Sequence, residues 1–295
     1  MPKQTLVALS REPISEKLVF EIKDQAIKYG VILHSFGGQI SNGTYHCERW
    51  ESSQEFDLTQ RERLRAIATR FNSDLCFLNA NLNTSDIKVL AMDMDSTLIN
   101  IECIDEIADF TGKKAAVAQI TEATMRGEIK DFKESLRRRV ALLEGVSADA
   151  LESVYRERLR PNPGAQELLA GANARGLYTL LVSGGFTFFT EKLRQQLGFK
   201  QSQANTLEII VGKLTGKVLG DIVDGAAKAA YLDKACSLLG CTKANAITMG
   251  DGANDLIMMN GSGISIAYQA KPLVKEKADA AFDRVGLDAA LLLIP

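Results

Sequence analysis

IKVLAMDMDST, residues 87–97, is a nearly continuous apolar run that ends on two acids. A strand with no polar alternation is buried on both faces, as in a parallel sheet. Similar runs recur at LYTLLVS (177–183), ANAITMG (244–250) and GISIA (263–267), with amphipathic helical stretches between them. That alternation predicts a parallel α/β fold. Asp93 and Asp95 close the first run. Side chains alternate along a strand, so both acids are expected on one side. In open parallel sheets, ligand sites form beyond the carboxyl ends of the strands. Two carboxylates placed there repel each other unless a cation or a proton lies between them. A hard divalent ion such as Mg²⁺ suits such oxygen ligands. The plainer reading of the pair is an Asx turn closing the strand.

Working outward, residues 98–160 interrupt the alternation. They are charged and helix-rich, which predicts an all-helical insertion after the first strand, at about 98–165. EIIVGKLTGKVLGDIV (208–223) has β patterning around Gly-containing turns and reads as a small hairpin insertion. NLNTSD (81–86) is polar and turn-rich, and marks a domain boundary. Residues 1–84 then form a separate unit. TLVALS, VILHSF, TYHCERW and SDLCFLNA read as strands, with GGQISNG as the turn between the middle pair. PISEKLVFEIKDQAIKYG and DLTQRERLRAIATRF read as helices, the second with Asp57 as N-cap. The order βαββαβ fits a small α+β domain. Residues 85–295 carry the parallel α/β domain.

The 295 residues have a formal net charge of -2, which gives no long-range attraction to nucleic acid or to an anionic membrane. An acidic substrate must be held by a few placed cations. The five cysteines are odd in number and form no CxxC pair, so neither a disulfide framework nor a zinc site is expected. The N-terminus lacks a signal peptide's apolar run. No stretch reaches the roughly 18 apolar residues of a membrane span. The expected location is the cytoplasm. The only histidines are His34 and His46, so chemistry in the α/β domain cannot use a Ser-His or Cys-His triad. Carboxylates, lysine or a metal must do that work.

Three further motifs sit at matching places. GDGAND (250–255) puts Asp251 and Asp255 at the end of another strand, where its glycines allow close backbone approach to an ion. VSGGF (182–186) ends a third strand and opens a helix. Ser183 and the N–H groups after it read as an anion site of the helix N-terminal kind, or as an ordinary turn. Lys228, in DGAAKAAYL, starts a helix, where a lone lysine is usually solvated.

In this order, Asp-x-Asp, Ser, Lys and Asp-x-x-x-Asp resemble the haloacid dehalogenase (HAD-like) superfamily of phosphohydrolases. DMDSTLINIECIDEIA, DFKESLRRRVALL, VSGGF and GDGAND followed by AKPLVKEKAD are similar to its phosphoserine phosphatase family, over about residues 87–290. The resemblance implies a HAD-like Rossmannoid sheet with a helical cap. It makes Asp93 the nucleophile that forms an aspartyl-phosphate, and Asp95 the acid and base. It implies Mg²⁺ held by Asp93, the backbone carbonyl of Asp95 and Asp251, with Asp255 in support. Ser183, the Gly184 N–H and Lys228 would hold the phosphoryl oxygens. Glu102 would pair with the α-ammonium of O-phosphoserine, and Arg139 would grip its α-carboxylate. Asn254 would be a further substrate contact, and Met125 and Phe132 would line the pocket. The implied reaction is hydrolysis of O-phospho-L-serine to L-serine and phosphate, the last step of serine biosynthesis.

The same motifs also suit a phosphotransferase, or a phosphatase for another small phosphorylated metabolite. A different class of reading is an amino-acid-sensing regulatory protein. The N-terminal βαββαβ order resembles ACT-like regulatory domains, which implies an amino-acid effector site. A homodimerisation or stabilising module is the plainer expectation for it. No basic stripe with interleaved aromatics points to nucleic acid.

Overall fold

A computed structural model of the chain describes residues 3–125, 128–129 and 131–294. The N-terminal unit runs β1 (Gln4–Ser10), α1 (Glu16–Lys28), β2 (Leu33–Ser35), β3 (Ile40–Ser41), β4 (His46–Ser52), α2 (Leu58–Arg70) and β5 (Ser73–Asn79). Its sheet is antiparallel in the order β2-β4-β1-β5. The stretch expected as a turn, GGQISNG, contributes the short β3, which pairs with β4. Asp57 caps α2, accepting from the Gln60 N–H while the Gln60 side chain accepts from the Asp57 N–H.

Alternation along β1 explains how this sheet is buried. Leu6 and Ala8 face α1 and α2, in a core with Leu18, Ile22, Trp50, Leu64 and Phe77. Val7 and Leu9 face the other way, into the same core as Phe282, Val285 and Leu287 of the C-terminal domain. Both sheet faces are therefore dry, one against helices and one against the second domain. β5 meets that domain directly, with the Phe77 N–H donating to the Asp279 carbonyl at 2.8 Å.

Asp74 holds this junction. It is buried, and one carboxylate oxygen accepts the backbone N–H groups of Asp283, Arg284 and Val285 at 3.0, 2.9 and 3.0 Å. Removing the acceptor strands one buried and two part-buried donors, and a buried one costs roughly 1–3 kcal/mol. Asp74→Ala is expected to lower unfolding free energy by about 3 kcal/mol, and Asp74→Asn, which keeps an acceptor oxygen, by clearly less. Urea titration of both variants checks this; equal losses would mean that the three donors do not carry the effect.

The C-terminal domain begins with β6 (Val89–Met92). Helices α3 (Cys103–Asp109), α4 (Lys114–Met125), α5 (Phe132–Ala141) and α6 (Asp149–Ser153) follow as the expected insertion. The chain returns through α7 (Ala165–Ala174), β7 (Tyr178–Phe186), α8 (Thr187–Leu197), β8 (Gln201–Ile210) and β9 (Lys213–Leu219). It ends with α9 (Gly225–Leu238), β10 (Ala246–Gly250), α10 (Leu256–Met259), β11 (Ile264–Tyr268), α11 (Pro272–Lys277) and β12 (Ala280–Phe282). The seven strands order as β12-β11-β10-β6-β7-β8-β9. All neighbours are parallel except β8 and β9. The sheet is the parallel α/β architecture expected from the sequence.

The helical insertion leaves and rejoins the sheet at one place. Ile99 and Pro161 form an isolated antiparallel bridge, and the Asn100 N–H donates to the Arg160 carbonyl at 3.0 Å. The β8–β9 hairpin is tied to the insertion rather than standing free. Gly145 and Leu214 are joined at 2.9 Å, and Leu214 and Val146 at 2.8 Å, by backbone bonds. No helix among the described residues is long and apolar enough to cross a membrane.

Candidate active site

β6 and β10 are parallel neighbours, so their carboxyl ends deliver the two acidic motifs to the same point. Asp93 follows β6 directly, and its carboxylate accepts the Met94 N–H at 2.7 Å. The backbone then leaves the strand conformation. The loop turns through Ser96, whose φ of 57° lies in the left-handed region. The two acids are thus set by a loop, not by continued strand alternation.

Lys228 is the surprise of this site. It is 1% exposed, against the usual fate of a lysine in the first turn of a helix. Its ammonium lies 2.8 Å from Asp93 and 2.7 Å from Asp255. Burial pulls its pKa down, but the Asp255 and Asp93 carboxylates outweigh that, and it stays charged above the ordinary lysine value. Asp255 is fully buried. One of its oxygens takes Lys228, and the other takes the N–H groups of Asp251 and Gly252 at 3.2 and 3.0 Å. A Cβ on Gly250 would sit 2.5 Å from the Asp255 side chain, so this glycine makes room for a carboxylate.

Asp93, Asp251 and Asp255 each present an oxygen within 4.8 Å of the others. Burial first, then the Asp255 charge, pushes the Asp93 pKa well above its ordinary value. The same two causes, with Glu102, lift Asp251 to about 7. Three carboxylates against one ammonium leave the cluster short of positive charge. The all-oxygen donor set fits a hard divalent cation, which would relieve the shortage. Because Asp255 already has partners on both oxygens, Asp93 and Asp251 have the capacity left for an ion.

Asp95 accepts the Cys103 N–H at 3.1 Å. Burial, then the nearby Glu102, lifts its pKa to about 7. Ser183 is fully buried inside β7, and α8 begins only at Thr187. The expectation of a helix N-terminal anion site is therefore corrected: the extended strand end, not a helix terminus, presents the hydroxyl. The Ser183 oxygen accepts the Gly185 N–H at 2.8 Å, which leaves its own proton free to donate. A Cβ on Gly185 would lie 2.4 Å from Asp95 Oδ2 and 3.1 Å from Ser183 Oγ. Asp95 and Ser183 thus meet over a glycine that tolerates no side chain.

The insertion brings in the remaining residues. A Cβ on Gly184 would sit 3.0 Å from the Phe132 ring, which places that ring over the end of β7. Lys133 reaches across to Asp224 at 3.4 Å. Arg139 is half-buried. Burial lowers its pKa, against the opposing fields of Glu102, Asp105 and Asp95. It therefore lies within the electrostatic reach of Glu102, which is exposed at the start of α3. Asn254 is half-buried on the Asp251 loop, with its Oδ1 over Gly252. The backbone of Met125 ends α4, but its side chain lies outside the described residues.

Several contributors were not picked out in the sequence. Thr97, fully buried, donates to Asp251 at 3.0 Å and ties the first motif to the third. Asn205, also buried, donates to the Gly184 carbonyl and accepts the Val223 N–H, both at 2.8 Å. Thr97 lies inside the first motif, where its neighbours could have flagged it. Asn205 sits in a polar stretch with no local signal.

A family model for haloacid dehalogenase-like hydrolases matches residues 90–260. A phosphoserine phosphatase from a Polaromonas species is 56% identical over 218 residues, which is 72% of this chain and 92% of that protein. The unliganded crystal structure of a probable phosphoserine phosphatase from Vibrio cholerae superposes with a TM-score of 0.80 at 33% identity, over 98% of this chain and 86% of that one. A substrate-bound phosphoserine phosphatase complex gives a TM-score of 0.66 at 37% identity, over 71% of this chain and 99% of that one. Likeness of this depth across nearly the whole length of a relative is a statement of descent: the chain belongs to the phosphoserine phosphatase family of haloacid dehalogenase-like hydrolases.

Proposed function

We propose that the chain hydrolyses O-phospho-L-serine to L-serine and phosphate in two steps, through an aspartyl-phosphate on Asp93. The observation that carries this reading is the buried Lys228 bridge between Asp93 and Asp255. It aims Asp93 and keeps a positive charge where phosphoryl oxygens would arrive. The Lys228 ammonium opposes the burial that raises the Asp93 pKa, and a bound cation would oppose it further, so that Asp93 would be held as a carboxylate that needs no base to act as a nucleophile. The third N–H of Lys228, the free Ser183 proton and the Gly184 N–H would hold the transferring oxygens. Asp95 would protonate the departing serine oxygen, then take a proton from the attacking water.

Asp93, Asp251 and the Asp95 backbone carbonyl would hold Mg²⁺, with Asp255 behind them. When bound, the ion would neutralise negative charge on the phosphoryl oxygens. In the cap, Glu102 would pair with the α-ammonium and Arg139 would grip the α-carboxylate by its fork. Phe132 and Met125 would line the pocket, and Asn254 would touch substrate from the core side. The place of this reaction is the last step of serine biosynthesis, in the cytoplasm. Residues 1–84 would serve as an ACT-like regulatory or dimerisation module, with an amino acid as the class of effector, and residues 85–295 as the catalytic unit.

Phosphate release from L-phosphoserine and from an aryl phosphate, with Mg²⁺ or EDTA, tests the reading. Both esters should be turned over with Mg²⁺ and neither with EDTA. Arg139→Ala should lower kcat/KM for phosphoserine by about 100-fold or more, because a ligand carboxylate is left without its partner. The same variant should lower aryl phosphate turnover by less than about fivefold. Equal losses on the two esters would remove Arg139 from substrate recognition, and turnover in EDTA would remove the metal.

A further inference from the structure

We infer that Ser96 is a positioning residue that aims Glu102 at the substrate's ammonium group. This rests on the reading of Glu102 as the ammonium anchor. Ser96 Oγ donates to Glu102 Oε1 at 2.7 Å. That is the short distance of a charge-assisted bond. Ser96 makes it from an unusual backbone, with φ 57° and ψ −4°. A non-glycine residue persists there only where its surroundings over-determine it. The Ser96 N–H donates to the Ile101 carbonyl at 3.2 Å, which closes the loop and brings residue 102 back over residue 96.

Glu102 needs such a tether. It stands at the N-terminal end of α3, yet its side chain makes no capping bond to that helix. It is exposed, on a side chain with three rotatable bonds. Left alone, it would lose that freedom only on meeting substrate, at a cost in binding. One hydroxyl donor fixes Oε1 and leaves Oε2 and the other lone pairs for an ammonium. The tether also has a fixed origin. Ser96 lies between Asp95 and Thr97, and Thr97 holds Asp251. The loop that places the phosphoryl chemistry therefore also places the amine anchor. A single rigid turn sets the span between the ester and the ammonium of the substrate.

The test compares phosphoserine with its des-amino analogue, 3-phosphonooxypropanoate, in Ser96→Ala, Ser96→Gly and Glu102→Gln. Glycine adopts the left-handed backbone freely, so that variant separates loss of the hydroxyl from strain in the loop. Expected for both Ser96 variants is a roughly tenfold rise in KM for phosphoserine, with kcat nearly kept. The fall in kcat/KM on the des-amino ester should be under about threefold. Equal losses on both esters would make Ser96 a structural residue and overturn the inference, as would no loss on either. Glu102→Gln separates the two levels. A selective loss there without one at Ser96 overturns this inference alone. No selective loss at Glu102 overturns the anchor reading and this inference with it.

Discussion

Asp93→Asn is expected to abolish phosphoserine turnover, with a fall in kcat on the order of 10⁴-fold or more. The amide has the shape of the carboxylate and keeps an oxygen for the Met94 N–H and Lys228. It cannot form the bond to phosphorus. Loss of fold is not a competing explanation, because the substitution relieves the site electrostatically. Asp93, Asp251 and Asp255 cluster around the Lys228 charge, and Asp255, 2.7 Å from that lysine, would keep it paired in the variant. Removing one of three crowded carboxylates should leave thermal stability level or slightly raised. The measurement is phosphate release beside a melting curve. A variant that keeps more than about a hundredth of wild-type kcat would show that Asp93 is not the nucleophile. A variant that loses activity together with its melting transition would show that the charge accounting of the cluster is wrong.

The sequence exposed this site because its chemistry sits at strand ends. Buried parallel strands carry apolar runs, so each run points to the loop beyond it. Asp93, Ser183 and Asp251 were found in this way. The fold was equally legible where strands are buried on both faces, as in β6, β7 and β10. It was less so at β8 and β12. The first half of β8 is QSQAN, where Gln201, Ser202 and Gln203 are only partly covered and the buried Asn205 bonds to the backbone. β12 is three residues, Ala280–Phe282, and alanine carries no strand signal. The anion site at Ser183 reads as a helix start because VSGGF ends an apolar run and precedes a helical stretch. The strand instead runs on to Phe186.

Burial was the quantity least visible in the sequence. Lys228 reads as a solvated residue until its two carboxylate partners, 135 and 27 positions away in the chain, are known to converge on it. The N-terminal strands are legible as strands, but the burial of both faces of their sheet is not. β1 and β5 are apolar on both faces, as parallel strands are, yet they lie in an antiparallel sheet. Their second face is dry because it packs on the C-terminal domain through Val7, Leu9, Cys76 and Leu78. A unit that packed on nothing would need polar residues on that face.

Asp95→Asn should lower kcat by roughly 10²- to 10⁴-fold, the range that a placed proton donor supplies. The loss should also depend on the leaving group. Serine leaves as a poor alkoxide and needs a proton from Asp95. A nitrophenolate leaves without one, so the first step with an aryl phosphate should survive in the variant. The second step is common to both substrates and needs Asp95 as a base toward water. The variant should therefore release one equivalent of nitrophenolate in a burst and then stall as the aspartyl-phosphate. The pH profile gives an independent reading. Burial and Glu102 hold the Asp95 pKa at about 7. The acid form needed for serine departure is lost as pH rises through that value. The carboxylate needed for the hydrolytic step is lost as pH falls through it. The wild type should peak near neutrality, and Asp95→Asn should lose both limbs. An Asn variant with the wild-type profile and no burst would take proton transfer away from Asp95. Burial raises the Cys103 thiol pKa well above its ordinary value, so Cys103 would not supply the base of the hydrolytic step.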